Sequence, residues 1–160
     1  MIKLLFAGDF CCSNPQLLKV GNKLESLIRD SDICELNFEG VIPHGIQESP
    51  LKFYLNQSSE SPQWCADNGF TVINLANNHT FDFGEEGIKN TLEKFSDTTS
   101  ILGVGIWEDA YKVRVVEKGN KKIGFFALSS ADLSSLKNRY DDNKILGCAW
   151  LGHPIVWSIL

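Results

Sequence analysis

The sequence has 160 residues, of which 43% are hydrophobic and 22% charged, and its net charge is −5 at pH 7. This length and composition are typical of one folded domain with a real core, and they exclude a disordered chain. The acidic balance argues against a general nucleic-acid-binding surface, because such a surface needs clustered Lys and Arg. We therefore expect a single domain over residues 1–160 that binds no nucleic acid.

The apolar start of the chain, residues 2–8, is too short for a signal peptide or a spanning helix, and Asp9 ends it. No later apolar stretch reaches the length of a membrane span. The five cysteines have no C-x-x-C spacing, which disfavours a disulfide framework or a structural zinc site. The sequence as it stands predicts a cytoplasmic protein with reduced thiols and no membrane segment.

Short apolar runs alternate with amphipathic stretches, which is the pattern of an α/β domain with a largely parallel sheet. Strands are predicted at residues 2–8, 32–37, 70–75 and 101–104, with a short edge strand at 51–55. Helices are predicted at residues 15–30 (with Asn14 as its cap), 61–68 and 84–95. A hairpin is predicted from 111–117 and 121–128 around Gly119-Asn120.

The last part of the chain is harder to assign. Residues 129–144 are polar without clear periodicity, and a helix start is predicted at residues 155–160 after His153-Pro154. A domain rarely ends on an apolar run that begins a helix without a polar finish. We therefore expect the domain to lack its carboxy-terminal part.

Polar residues follow directly after three of the predicted strands. They are Asp9 after the first strand, Asn37 and Glu39 after the second, and Asn77, Asn78 and His79 after the strand at 70–75. The carboxyl ends of strands in an open parallel sheet line the ligand crevice, and neighbouring strands lie about 4.8 Å apart. Carboxylate, amide and imidazole groups are ligands of paired divalent cations in hydrolytic sites. The sequence therefore predicts a two-metal site at this edge of the sheet.

Each of these residues also has a structural interpretation. Asp9 alone is explained more simply as the cap of a turn or of the next helix, and Asn37 and Glu39 as loop residues. Asp82 suits a helix cap as well as a functional role. The run Asn77-Asn78-His79 is harder to explain this way, because two amides and an imidazole are poor material for a core or a generic loop.

Two weaker signals point to other classes of protein. Gly103-Val104-Gly105 follows a predicted strand and allows a plain nucleotide-binding domain, although the third glycine of a phosphate loop is absent. Ser129-Ser130 lacks the G-x-S-x-G arrangement, so a serine hydrolase has little support.

The sequence resembles the CapA/PgsA family, the metallophosphatase-like proteins of poly-γ-glutamate capsule synthesis. The motifs that carry the resemblance are Gly8-Asp9, Asn37-Phe38-Glu39-Gly40 and the run from Asn74 to Gly84 (NLANNHTFDFG), with Gly87-Ile88, Thr91-Leu92, Leu102–Gly105 and Asp109-Ala110. The likeness covers the chain through the predicted hairpin at 111–128. It implies the amino-terminal portion of a calcineurin-like metallophosphoesterase sandwich, in which two sheets lie between helices (αββα).

The resemblance also implies a centre with two divalent ions, either Mn²⁺, Zn²⁺ or Fe²⁺, that polarise the scissile group and activate water. It assigns Asp9 as a terminal metal ligand, Glu39 as the bridging carboxylate, Asn78 as a ligand of the second metal and Asn37 as a further metal ligand. It also assigns His79 as the general acid or transition-state stabiliser, and Asn77 and Asp82 as substrate contacts. The implied substrate is a small molecule or a polymer, namely a phosphoester or poly-γ-glutamate.

The sequence departs from the superfamily pattern in two places. Cys11 stands where the usual D-x-H motif has its histidine, and the later histidine motifs are absent, although Gly152-His153-Pro154 superficially echoes one of them. A site without these histidines would bind transition metals weakly. We therefore expect a metal-dependent hydrolase or transferase, with a non-catalytic binding or assembly protein of the same fold as the alternative.

Overall fold

A parallel four-stranded sheet forms the centre of the protein in the computed structural model, which describes residues 1–45, 53–130 and 146–149. Its strands, in spatial order, are β1 (Leu4–Phe10), β2 (Ile33–Phe38), β3 (Val72–Asn74) and β4 (Ser100–Leu102). All three neighbouring pairs are parallel. The predicted α/β class and its parallel sheet are confirmed.

Helical segments connect these strands, because a parallel pair needs a crossover that returns the chain to the same end of the sheet. Their bounds are Asn22–Arg29 for α1, Ser61–Asp67 for α2 and Gly84–Leu92 for α3. A fourth helix, α4 (Trp107–Ala110), comes after β4 and is not one of these crossovers. Helices α2 and α3 begin at the predicted residues. The crossovers place the carboxyl ends of β1, β2 and β3 at one edge of the sheet.

Two antiparallel pairs accompany the parallel sheet. Strand β5 (Val104–Ile106) pairs with β8 (Leu146–Cys148), and β6 (Arg114–Lys118) pairs with β7 (Lys121–Phe125). The second pair is the predicted hairpin, and Gly119 supplies the positive φ of its turn, at 59°. Strand β8 follows a polar stretch and was not predicted from the sequence.

The buried core is centred on β2 and β3. Leu36, Phe38, Ile73 and Leu75 are almost fully excluded from solvent, and Phe38 packs edge-on against Phe95 at a ring distance of 5.2 Å. Burial of a side chain of this size contributes about 1.5–3 kcal/mol. The central strands are therefore a rigid base for the polar residues that follow them.

The predicted helix at 15–30 is wrong in its extent. A short 3-10 helix covers Pro15–Leu17, Leu18 is extended, and α1 begins only at Asn22. The break lets the carbonyl of Leu18 accept a hydrogen bond from Trp64 Nε1 at 3.3 Å. A tertiary contact with α2 thus interrupts a sequence whose local periodicity favours one continuous helix.

The apolar stripe predicted for this helix is largely exposed. Leu17, Leu24 and Leu27 expose 78%, 39% and 49% of their surface, whereas Ile28 is half-buried against the core. Asn14 precedes the 3-10 helix but makes no side-chain cap hydrogen bond. Helical spacing of apolar residues indicated a helix here without showing which residues find a packing partner.

Some predictions fall on residues outside the described ranges. They include the helix start at 155–160, residues 51–52 of the edge strand, and all of 129–144 except Ser129 and Ser130. Residues 53–55, which the structure does describe, form no strand; the next residue, Asn56, makes an isolated parallel bridge with Val41.

In the part of the chain that the structure describes, no helix is long and apolar enough to cross a membrane.

All five cysteines are free, and Cys34, Cys65 and Cys148 are buried. Burial raises the pKa of the Cys65 and Cys148 thiols to about 12.

Gly103 divides the strand predicted at 101–104. Strand β4 ends at Leu102, Gly103 has a φ of +76°, and the chain continues as β5 into a different sheet. A Cβ added at Gly103 would lie 2.4 Å from the Cβ of Ala76, so this close approach also requires glycine. Gly105 is similarly close to Asp109, at 2.8 Å from its Cβ. These buried glycines serve packing, and phosphate binding by this loop stays a prediction.

Gly103→Ala is expected to lower the free energy of unfolding by about 2–4 kcal/mol, because alanine adds left-handed backbone strain and a clash with Ala76. Gly119→Ala is the matched control, since it has a positive φ but no atom within 4 Å of the added Cβ. Its cost is expected to be about 1–2 kcal/mol. Urea unfolding monitored by circular dichroism measures the loss of unfolding free energy in both variants. Equal losses would show that the contact with Ala76 does not contribute to the cost of Gly103→Ala.

Candidate metal and substrate site

A cavity of about 520 Å³ opens at the edge where β1, β2 and β3 end. Five of the seven predicted site residues line it, namely Asp9, Asn37, Glu39, Asn77 and Asn78. The other two, His79 and Asp82, are outside the lining; the His79 Cβ lies beside Gly40. The structure therefore gathers five predicted residues around one cavity and places the remaining pair next to it.

One amide group holds both carboxylates of the cavity. Asn37 Nδ2 donates hydrogen bonds to Asp9 Oδ1 at 2.8 Å and to Glu39 Oε2 at 2.5 Å. Because both oxygens contact the same nitrogen, the carboxylates of Asp9, in β1, and of Glu39, directly after β2, converge on that nitrogen. In this arrangement Asn37 is a hydrogen-bond donor, and its role as a metal ligand stays a prediction. The pairing also shows that Asp9 does more than cap a turn.

Asn77 ties the loop after β3 to the end of β2. Its Oδ1 accepts hydrogen bonds from Gly40 N at 3.2 Å and His79 N at 3.1 Å. Its Nδ2 donates to Phe38 O at 2.9 Å and to Asn37 Oδ1 at 3.2 Å. Both donors and both lone pairs of this buried amide are used inside the protein. The geometry thus gives Asn77 a structural task, and its substrate contact stays a prediction.

His79 and Asp82 form a pair behind the cavity. Asp82 Oδ2 lies 2.7 Å from His79 Nδ1 and also accepts a hydrogen bond from Leu55 N at 3.0 Å. A carboxylate at Nδ1 favours the tautomer with hydrogen on Nδ1 and leaves Nε2 to take up or release a proton. The N-cap of α3 is Phe83 without a side-chain cap bond, so Asp82 does not cap that helix. The buried position of Asp82 favours orientation of His79 over the predicted direct contact with substrate.

Burial raises the pKa of the Glu39 carboxyl above its ordinary value. The hydrogen bond from Asn37 opposes this rise, whereas the negative charge of Asp9 adds to it. Burial and the charge of Glu39 likewise raise the pKa of the Cys11 thiol, so Cys11 stays protonated and is a poor nucleophile. The carboxylates are thus brought together at an electrostatic cost that a bound cation would relieve.

The donor atoms fit part of a metal site. Asp9 and Glu39 present convergent carboxylates, and Asn78 lies exposed on the same cavity. Across residues 1–45, 53–130 and 146–149, no group of three or more His, Cys, Asp or Glu side chains is close enough to hold an ion. Oxygen donors of this kind suit Mn²⁺ or Mg²⁺ better than Zn²⁺ or Fe²⁺. The described residues therefore supply an oxygen-rich partial site.

Sequence reasoning did not place Leu128, Ser129 and Ser130 in the site, yet they also line the cavity. Ser129 is held there by a hydrogen bond from its backbone N to Ala149 O at 2.9 Å. Leu128 is the last residue of the predicted strand at 121–128, and Ser129 and Ser130 directly follow it, so their position after a strand also marks them as candidates.

A parallel sheet with convergent carboxylates and a carboxylate-paired histidine at its strand ends characterises a calcineurin-like phosphoesterase-type fold. The chain belongs to the family described as "Bacterial capsule synthesis protein PGA_cap", whose sequence profile matches residues 3–147. This match confirms the predicted family and, together with the parallel sheet, its calcineurin-like phosphoesterase-type α/β fold.

Two relatives from Bacillus show the same family likeness. The "PGA biosynthesis protein CapA" of Bacillus subtilis (strain 168) is 32% identical over 123 residues, which cover 72% of this chain and 32% of that protein. The "Capsule biosynthesis protein CapA" of Bacillus anthracis is 32% identical over 74 residues, which cover 44% of this chain and 18% of that protein. The chain thus spans about a third of the length of the first relative and less of the second.

Asn77→Ala is expected to lower the free energy of unfolding by about 2–4 kcal/mol, because it leaves several buried backbone and side-chain groups without partners. The neighbouring substitution Asn78→Ala is the matched control, since Asn78 is exposed, and we expect a change within about 0.5 kcal/mol. Chemical denaturation of both variants measures the difference. Similar stability of the two would contradict the structural task of Asn77.

Proposed function

We propose that this protein is a CapA-type, metal-dependent hydrolase of the phosphoesterase class that acts in capsule or poly-γ-glutamate biosynthesis. The observation that carries the proposal is the convergence of Asp9 and Glu39 on one point at the strand ends, beside the paired His79 and Asp82. Membership in the capsule synthesis family and the names of the two Bacillus relatives support the biological setting.

Asp9 and Glu39 would hold the first divalent ion, with Glu39 shared between two ions and Asn78 bound to the second. Asn37 would join them as a ligand if its amide oxygen turned toward the carboxylates. The chemistry that two ions would supply there is polarisation of the scissile group and activation of water. The oxygen-rich donor set makes Mn²⁺ the best candidate among Mn²⁺, Zn²⁺ and Fe²⁺.

His79 is the general acid of the proposed reaction. Its Nδ1 is held by Asp82 at 2.7 Å, so the proton given to the leaving group is carried by Nε2. The buried carboxylate of Asp82 also stabilises the protonated imidazole before transfer. The hydrogen bond from Leu55 N keeps Asp82 in the orientation that this task requires.

The charge of the cavity makes substrate binding dependent on cations. Asp9 and Glu39 would repel an anionic phosphoester or a poly-γ-glutamate chain, and the protein as a whole is acidic, at −5. Bound divalent ions reverse this local charge. Ser129 and Ser130 line the same cavity without adding charge to it.

A specific observation favours a second function, a non-catalytic binding or assembly protein of the same fold. No cluster of three His, Cys, Asp or Glu side chains forms within the described portion of the chain. The aligned region also spans only 32% of the Bacillus subtilis relative. A protein of this kind would bind Mn²⁺ without turning over a phosphoester or an amide.

Asp9→Asn and Glu39→Gln are each expected to weaken Mn²⁺ binding at least about tenfold, because each removes one anionic member of the convergent pair. Isothermal titration calorimetry near neutral pH measures the affinities. Glu25→Gln, at an exposed carboxylate of α1, is the matched control and should bind Mn²⁺ as the unchanged protein does. Unchanged affinity in both site variants would remove the basis for a metal centre here.

His79→Ala is expected to lower kcat for Mn²⁺-stimulated hydrolysis of bis(p-nitrophenyl) phosphate by about 10²–10⁴-fold, because the general acid is lost. Asn78→Ala should lower activity through loss of the second metal ligand. His44→Ala, at an exposed histidine, is the control and should keep full activity.

The thermal melting curve of each variant separates a catalytic effect from unfolding. A His79→Ala protein that melts normally and keeps full activity would contradict the proposed mechanism. If the unchanged protein binds Mn²⁺ but cleaves neither phosphoester nor amide substrates, the binding function is the correct one.

A further inference from the structure

Gln57 lies beside the candidate site, although it is neither a predicted site residue nor part of the cavity lining. Its side chain is 3% exposed, and its Nε2 donates hydrogen bonds to two backbone carbonyl groups. One is Phe10 O at 2.5 Å, next to Asp9, and the other is Glu39 O at 3.1 Å. A single amide therefore connects the backbone beside one carboxylate to the backbone of the other.

The remaining hydrogen bonds of Gln57 fix its own position. Its Oε1 accepts from Cys12 N at 3.1 Å, and its backbone N donates to Val41 O at 3.3 Å. The next residue, Ser58, donates from its N to Cys12 O at 3.0 Å. The segment that precedes α2 is thus attached to the loops that follow both β1 and β2.

The connection lies where the sheet itself is irregular. The register of β1 and β2 shifts between Phe6 and Asp9, and the last paired residues are Phe10 and Phe38. A register shift leaves the local ladder disrupted and lets the strand bend. Pairing resumes beyond the shift at Asp9 and Phe10, and the amide of Gln57 supplies further contacts at this position.

We propose that Gln57 is a positioning residue that sets the spacing of the Asp9 and Glu39 carboxylates by holding the Phe10 and Glu39 carbonyl groups together. The inference rests on the proposed metal-binding function of this site. Glutamine suits the task because its planar amide offers two donors and one acceptor at the end of a flexible chain, whereas glutamate at this position would offer no donor to the two carbonyl groups.

Gln57→Met tests the proposal, since methionine has a similar length but no amide. We expect Mn²⁺ affinity to fall at least about tenfold in a titration performed well below the melting temperature of the variant. Gln63→Met makes the same replacement at an exposed position of α2 and should leave the affinity unchanged.

Ser61→Ala separates positioning from a general loss of stability. The buried Ser61 hydroxyl donates to Cys12 O at 3.1 Å, so its removal weakens the same segment without touching Phe10 or Glu39. We expect this variant to melt at a lower temperature and to keep its Mn²⁺ affinity. Equal loss of affinity in Ser61→Ala and Gln57→Met would overturn the proposal.

A measurement without metal distinguishes this inference from the proposed function. The backbone N–H of Glu39 donates a hydrogen bond to Phe10 O at 2.9 Å. Gln57 Nε2 donates to the same carbonyl oxygen. Gln57→Met should accelerate hydrogen exchange at the Glu39 amide at least about tenfold, and Ser61→Ala should not. Unchanged exchange in Gln57→Met would refute the positioning role. If Gln57→Met accelerates this exchange but the unchanged protein binds no Mn²⁺, the positioning role stands and only the proposed metal centre is refuted.

Discussion

The candidate site depends on one chain of amide hydrogen bonds. Asn77, after β3, donates to Asn37 Oδ1, and Asn37 in turn donates to the carboxylates of Asp9 and Glu39. This chain of hydrogen bonds crosses the ends of three neighbouring strands and connects their polar side chains directly. Because Asn77 Oδ1 also accepts a hydrogen bond from the backbone N of His79, the same chain of hydrogen bonds positions the histidine. Asn77 is buried and Asn37 and Glu39 are half-buried, where hydrogen bonds are stronger and unpaired polar groups cost more, whereas Asp9 is exposed.

Amides are well suited to this task because they carry no charge. A Lys or Arg between Asp9 and Glu39 would also hold both carboxylates, but it would neutralise their negative charge. The amide of Asn37 holds the oxygens in place and leaves their negative charge uncompensated. The raised pKa of Glu39 reports the resulting electrostatic cost, which comes first from burial and is increased by Asp9. The site thus combines a fixed geometry with a local field that favours a cation.

The regular elements of the fold followed from sequence patterns because their causes are local. The apolar residues of β2 and β3 are buried, as the patterns of the two segments predict, and Gly119 marks the hairpin turn. The errors have tertiary causes. The hydrogen bond from Trp64 to Leu18 splits the predicted first helix, and the contact of Gly103 with Ala76 sends the chain from β4 into another sheet. Neither contact leaves a periodic signal in the sequence.

The same distinction explains which parts of the site were predictable. Residues that carry the chemistry follow strands directly, so topology and residue type identify Asp9, Glu39 and His79. Residues that hold them in place obey no such rule: Gln57 lies 47 positions from Phe10 and 18 from Glu39, in a segment without a recognisable motif. The contacts of Gln57 form only in the folded protein, where the segment before α2 meets the loops that follow β1 and β2. Motif reasoning therefore recovers the functional groups of such a site more completely than the contacts that determine their spacing, although a metal centre depends on both.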